Sequence, residues 1–347
     1  MQRYLHERSE GKLDTYRDDL PMVAELRAYI TQMIHAESPG RIALTPNTSE
    51  AINIVADGID WKPGDRIVVG HIEFPANVWP FLNLKQFGVE IDFIHSTDGR
   101  VTLEQIAQAI QPRTRLVALS AVQFLSGYRA DLAAIGSLCR SKGIIFAVDG
   151  AQAVGAIVFD VQAQNIDALS AGGQKWQMSP HGTGFLYLTP ALQAQIRQRN
   201  LGWLSVADPW DFHNYTQEID ATARRYEGGS LIMPSLWGMH AALGTLLEFG
   251  PPAIESHILS LTHVLMDGFR SIKGVSLFTP ASDADRAGIV TIDLPRGTNV
   301  ADIVQQLLQR QITLAPHEGK LRFSPHFYNT PAEMETTVEA LRDILRA

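Results

Sequence analysis

Cysteine is nearly absent from this chain: Cys139 is the only one in 347 residues. That excludes an intramolecular disulfide framework and suits a reducing, cytoplasmic compartment. Positive charge is scarce as well. Lys and Arg total 29 against 37 Asp and Glu, and the net charge of −8, with no local basic run, argues against DNA or RNA as a partner. Long apolar runs are missing; Gly143–Val148 is among the longest and is far too short to span a bilayer. The opening Met1-Gln2-Arg3-Tyr4-Leu5-His6-Glu7-Arg8 has no signal-peptide apolar region and reads as helix. Metal and dinucleotide signatures fail too. His317-Glu318 has no second histidine at helical spacing, and the glycine expected three residues after Gly184 is Tyr187.

What is present is an ordinary globular composition, 45% hydrophobic and 19% charged, in a chain long enough for one large domain with a smaller partner. Strand-like and helix-like segments alternate. Arg66–Gly70, Val89–Ile94, Thr114–Ser120 and Gly143–Asp149 are apolar strands; Ser49–Gly58, Leu103–Ile110 and Leu132–Lys142 are helical in pattern. Gly182–Leu188 looks hairpin-like. The alternation predicts an α/β domain over 1–235, a mostly parallel sheet covered on both faces, with an N-terminal helix within 1–20. From about Pro234 the texture changes to a long helix and then mixed segments, which predicts a small α+β domain over 236–347.

In such a sheet, ligands gather beyond the carboxyl ends of the strands. Two segments place chemistry there. Val148-Asp149-Gly150-Ala151-Gln152 delivers a carboxylate after a buried strand, and Gly172-Gly173-Gln174-Lys175-Trp176 delivers an amine from a small-residue turn. Asp149 alone reads equally as a helix cap, and a lone lysine in a turn as a surface charge. As a pair they are the two groups that pyridoxal phosphate requires: a partner for its ring nitrogen and an amine for a Schiff base. Thr48 and Ser49 open a helix, where a cap and a phosphate cradle look alike. Phe74, in Glu73-Phe74-Pro75-Ala76-Asn77, suits stacking on a flat ring or plain core packing. Gln123 and Ser230 are polar residues beside small ones after apolar runs. Arg322, in an otherwise apolar strand, suits a carboxylate or a surface ion pair. Cys139, between Leu138 and Ile135 in a helical pattern, reads as a small core residue.

Together these segments resemble the class V aminotransferase family of fold-type I pyridoxal-phosphate enzymes, from about Asn47 to Asn329. The resemblance implies that fold, with a seven-stranded large sheet. It implies Lys175 as the Schiff-base lysine and Asp149 as partner of the ring nitrogen. It further implies Gln152 at the phenolic oxygen, Phe74 over the ring, and Thr48, Ser49 and Gln174 at the phosphate. Ser230 would serve the phosphate of a second subunit in a homodimer, and Arg322 would bind the carboxylate of a small amino-acid substrate. Aminotransfer is the expected reaction; epimerisation or C–S elimination start from the same proton loss, and a catalytically silent homologue is the remaining alternative. Desulfurases of the family carry a cysteine on a loop shortly before that arginine. Here the stretch Thr313–Lys320 has none, so persulfide chemistry is not expected. Relatives also begin with an extended segment ahead of the first helix, whereas here helix is expected from Gln2 onward.

Overall fold

A computed structural model of the chain describes residues 1–346. Seven strands form the large sheet: β1 (Ile42–Thr45), β2 (Arg66–Gly70), β3 (Glu90–Ile94), β4 (Thr114–Ser120), β5 (Ile145–Asp149), β6 (Ala168–Gly172) and β7 (Gly184–Leu188). Their order is β1-β7-β6-β5-β4-β2-β3, and β7 alone runs against its neighbours. This is the mostly parallel sheet that the alternation of segments predicts, with the seven strands that the family resemblance implies. The sequence of β7 does pair as a hairpin with β6, but it also pairs with β1, far away in the chain.

Because side chains alternate across a strand, each strand feeds two cores. Val68, Val117, Leu119, Phe146, Val148, Leu169, Phe185 and Tyr187 point to one face. Ile67, Val69, Leu116, Ala118, Ile145, Ala147, Ala168 and Leu186 point to the other. Burial on both faces is why these strands read as unbroken apolar runs instead of alternating ones. After the N-terminal helix α1 (Gln2–Ser9), the first face is covered by α2 (Leu20–Ile34), and the second by α3 (Thr48–Gly58) and α4 (Trp79–Asn83). The helices α5 (Leu103–Ala109), α6 (Leu132–Ser141) and α7 (Pro190–Gln195) follow, then the long α8 (Met233–Phe249), which packs on the first face.

A second sheet, β8 (Ser276–Leu277), β9 (Val290–Asp293), β10 (Ala315–His317) and β11 (Lys320–Phe323), is antiparallel in the order β10-β11-β9-β8. It packs against α9 (Pro251–Arg270), α10 (Val300–Gln309) and α11 (Pro331–Arg346) through Leu261, Leu265, Phe269, Ile292, Leu307, Phe323 and Leu341. The division between the cores falls inside α9, since Ile254 and Ile258 belong to the large one. Between β10 and β11 the chain reverses in two residues, Glu318 and Gly319, with φ of 50° and 76°. Positive φ at both positions is the requirement of a tight type I′ hairpin turn.

One local expectation is corrected. Thr48 does not cap α3: Asn47 does, with extended backbone and a side chain that accepts from the Glu50 N–H at 2.9 Å. Both residue types cap helices; placing Asn47 at the cap makes Thr48 the first helical residue and turns it inward, where it is buried. Among the described residues no helix is long and apolar enough to cross a membrane.

Candidate active site

Strands β2, β4, β5 and β6 run parallel and end along one edge at Gly70, Ser120, Asp149 and Gly172. Asp149, only 5% exposed, accepts from the Ala151 N–H at 2.8 Å. Turns and no helix follow it, so it caps nothing. Burial pushes its pKa up, opposed by that N–H and by Lys175. Lys175 lies three residues beyond β6 and is half-buried. Burial pulls its pKa down, Asp149 pulls it back up, and Arg322 lowers it further. The Lys175 Nζ sits 5.3 Å from the centroid of the Phe74 ring, which is 42% exposed at the mouth of the site. The turn carrying the lysine is fixed by backbone bonds, Gly173 N–H to Thr183 O at 2.9 Å and Ser179 N–H to Gly173 O at 2.9 Å.

Polar groups converge on Gly172. A β-carbon there would lie 2.6 Å from Gln174 Oε1 and 3.0 Å from Thr48 Oγ1. Its absence lets Thr48, at the start of α3, and Gln174, next to Lys175, share one concavity with the first-turn amides of the helix, a setting that favours an anion. Ser49 is exposed beside it. Ser230 is not brought to this place within one chain: it is exposed, on a loop after Glu227, and lines a depression with Thr45, Pro46 and Gly182. Gln152 Oε1 accepts from Trp176 Nε1 at 2.9 Å, which leaves its amide N–H groups free to donate.

The opposite wall holds residues that sequence reasoning passed over. Glu73, just before Phe74, is buried and accepts from the Asn77 amide at 3.0 Å, the Ser120 hydroxyl and the Gln123 amide. Gln123 is thus committed to Glu73 through its nitrogen, while its Oε1 has no partner. Burial raises the pKa of Glu73, and the nearby Asp149 adds to the shift. Phe124 meets Phe74 edge-on at 5.4 Å and His317 edge-on at 5.7 Å. Its carbonyl accepts from Arg322 Nη1 at 2.8 Å. Arg322 makes no ion pair with a carboxylate among the described residues; its Nε is buried without a partner, and burial pulls its pKa down. Ala315 pairs with Arg322 and His317 with Lys320 across the tight turn, so His317 and Arg322 share one face of the hairpin. Glu318-Gly319 is not one of the Asn-Gly or Asp-Gly pairs that announce a tight hairpin, so only Gly319 hinted at this one; nothing local marked Glu73 or Phe124.

The site therefore joins Asp149, Lys175, Gln174, Thr48, Gln152, Phe74 and Arg322, with Gln123 one step behind the wall, and leaves Ser230 outside. Comparison with known proteins bears on the family and the fold. The profile of the family described as aminotransferase class-V matches residues 16–335. A probable cysteine desulfurase of Methanothermobacter thermautotrophicus is 30% identical over 337 residues, covering 92% of this chain and 83% of that one. An isopenicillin N epimerase of Streptomyces clavuligerus is 27% identical, with 87% and 80% covered. The solved structure of a cysteine desulfurase from Thermococcus onnurineus has the same fold, at a TM-score of 0.86 and 24% identity over 94% of this chain and 84% of the other. A profile match from Tyr16 nearly to the C-terminus, on a sheet of this topology, places the chain in the class-V aminotransferase family.

Proposed function

We propose that this protein is a pyridoxal 5′-phosphate enzyme acting at the Cα of a small amino acid, with aminotransfer as its reaction. The observation that carries the reading is the approach of Lys175 to Asp149 beyond adjacent strand ends, each shifting the other's pKa, with neither in an ion pair among the described residues. The residues fit the cofactor. The concavity over Gly172, which a β-carbon would fill, suits its phosphate, with Thr48, Ser49 and Gln174 as ligands. Asp149 would pair with the ring nitrogen, Gln152 has a free amide N–H that would serve the phenolic oxygen, and the exposed Phe74 would cover the ring.

When bound, the cofactor supplies an electron sink for the carbanion at Cα. The chain supplies the rest. Asp149, drawn toward its neutral form by burial, ionises beside a cationic ring nitrogen and holds the proton there. Lys175 provides the amine that anchors the cofactor and then moves the proton at Cα. Burial and Arg322 lower its pKa, which enlarges the neutral fraction that can accept a proton. The unpaired guanidinium of Arg322 binds the substrate carboxylate and so sets the orientation of the Cα–H bond. A thiol nucleophile has no place in this scheme: Cys139 is buried in α6, with its pKa pushed up to about 12.

The exposure of Ser230 fits a homodimer in which that hydroxyl reaches the phosphate site of the second copy, in the cytoplasm of the cell. The test of the main reading is to purify the protein with added pyridoxal phosphate and reduce it with borohydride. The cofactor is expected on the peptide containing Lys175 and nowhere else, and Lys175→Ala is expected to bind none covalently. An amino-acid screen then identifies the reaction: conversion to bound pyridoxamine phosphate means aminotransfer, whereas pyruvate without it means elimination. Absence of any visible cofactor band from the loaded wild type would refute the enzyme reading.

A further inference from the structure

His326 is the most enclosed imidazole among the described residues, and the proposed chemistry leaves it unused. It is 9% exposed; neither ring nitrogen completes a well-formed hydrogen bond among the described residues, although the backbone of Trp176 and Lys175 lies close enough to hold its pKa up against burial. Its imidazole lies between two aromatic faces instead, stacked on Trp176 at 5.2 Å and 18° and on Tyr328 at 4.6 Å and 16°. Burial lowers its pKa to about 4, so the ring is neutral at physiological pH. A buried polar ring without well-formed hydrogen bonds costs stability, which asks for a reason why an imidazole stands there.

The two sides of the stack belong to different parts of the molecule. On one side, His326 is fixed within the segment that follows β11 and, through it, to α9. Its N–H donates to Asn329 Oδ1 at 2.9 Å, Asn329 N–H donates back to its carbonyl at 2.9 Å, and the Asn329 carbonyl contacts His257 Nε2 on α9 at 3.0 Å. It also stands only four positions beyond Arg322, past the end of β11. On the other side, Trp176 is the residue next to Lys175, and its Nε1 donates to Gln152. Trp176 has little freedom of its own. A β-carbon at Gly288 would come within 2.3 Å of its ring, and one at Gly155, with φ of 97°, within 2.5 Å of its carbonyl.

We propose that His326 is a positioning residue: its stack on Trp176 ties the carboxylate-binding segment of the small domain to Lys175 and Gln152. The inference rests on the reading of Lys175 and Arg322 given above. Docking of a carboxylate on Arg322 pulls on Arg322–His326, and the stack carries that displacement to the turn that holds the amine. Two rigid turns, 326–329 and 173–179, move as one body because flat rings slide poorly when clamped on both faces.

The experiment compares wild type, His326→Ala and His326→Phe, each loaded with pyridoxal phosphate and first checked for a visible cofactor band. A band missing from wild type refutes the cofactor reading and not the stack. With the band present, His326→Ala is expected to lower kcat about tenfold, the worth of one aromatic pair, with KM changed less than threefold. His326→Phe, which keeps the stack and drops both nitrogens, is expected to restore kcat. A second measurement needs no activity: amide exchange in 173–179 of the cofactor-free protein is expected to accelerate in His326→Ala and return to the wild-type rate in His326→Phe. Unchanged exchange and unchanged kcat in a folded His326→Ala overturn the proposal. So does a folded His326→Phe that behaves like His326→Ala. Should His326→Ala not fold, the exchange rate of His326→Phe decides alone: a wild-type rate supports the stack and a faster one overturns it.

Discussion

Glu73 gives the sharpest test of how the site is held together. It is buried with three side-chain donors on it, from Asn77 and from Ser120 and Gln123 beyond β4, and Ser120 lies directly beside Asp149 in the sheet. Glu73→Ala strands all three donors in a buried place. Each unsatisfied donor costs about 1–3 kcal/mol, and partial relaxation or entry of water reduces the sum, so a loss of roughly 3–5 kcal/mol is expected in urea unfolding. Glu73→Gln keeps the size and the acceptor for Ser120 and Asn77. Its new N–H₂ can face Gln123 once that amide turns its unpartnered Oε1 inward, so the cost is about 1 kcal/mol or less. The two variants also separate in pH. Burial holds the folded-state pKa of Glu73 above the ordinary carboxylate range, so the folded protein keeps a proton that the unfolded chain releases. The stability from this group is full below the ordinary carboxylate pKa and is lost as pH rises through the folded value. Glutamine does not titrate, so the stability of Glu73→Gln relative to wild type is expected to rise with pH across that window; Asp149, present in both, cancels. A Glu73→Ala loss below about 1 kcal/mol, or a flat Gln-minus-wild-type difference from acid to neutral pH, would refute the reasoning.

Three further expectations follow from single contacts. Gly172→Ala meets the flexible end of Gln174 and the Thr48 hydroxyl, so melting should move little while pyridoxal-phosphate affinity, read by fluorescence titration, falls about tenfold; equal affinity would remove the concavity from the argument. Arg322→Gln removes a charge-assisted contact with the substrate carboxylate worth about 1.5–3 kcal/mol, so KM for the amino acid should rise by roughly 10- to 150-fold with the cofactor band intact. Cys139 should resist thiol reagents in the native protein and react only on unfolding, and Cys139→Ala should retain the activity. Loss of activity in a folded Cys139→Ala would mean that the only thiol does chemistry after all.

The parts of this fold that were legible in the sequence are those set by local pattern. Arg66–Gly70 and Thr114–Ser120 are strands with the ends that their apolar runs implied, because burial on both faces confines their polar residues, Arg66, Thr114, Arg115 and Ser120, to the strand ends. Asp149 and Lys175 could be placed at the site because parallel strands deliver their C-terminal ends to one edge. Legibility stops where two local choices are equal or where the partner lies far off in the chain. Asn47 and Thr48 are both good caps, and only the inward turn of Thr48 decides between them. The pairing of β1 with β7 and the clasp of Arg322 on the Phe124 carbonyl each join segments more than a hundred residues apart, and no periodicity encodes them. The roles expected for Gln174 and Ser230 came from family resemblance, not from spacing, and for Ser230 a single chain does not supply the neighbour that the role requires.

The charges of the site show why such a place is built for ligands. Asp149 and Glu73 are carboxyl groups at neighbouring strand ends, each pushed toward its neutral form by burial; Lys175 and Arg322 are cationic groups, each pushed toward neutrality in turn. Of these four groups only Glu73 is fully engaged among the described residues, by three donors. Asp149 has one backbone N–H, Arg322 one carbonyl, and Lys175 no carboxylate within ion-pair distance. Structural ion pairs in a core close on each other, because a buried charge left alone costs several kcal/mol. Here the side chains that would close stand on separate elements, with Phe74 beside Lys175 and the Phe124 carbonyl holding Arg322. The cost therefore falls when an outside cation meets Asp149 and an outside carboxylate meets Arg322. In the proposed reaction a cationic heterocycle and an amino acid would bring those two charges together in one complex, and Lys175, whose pKa burial lowers, would be left with the neutral amine that proton transfer at Cα needs.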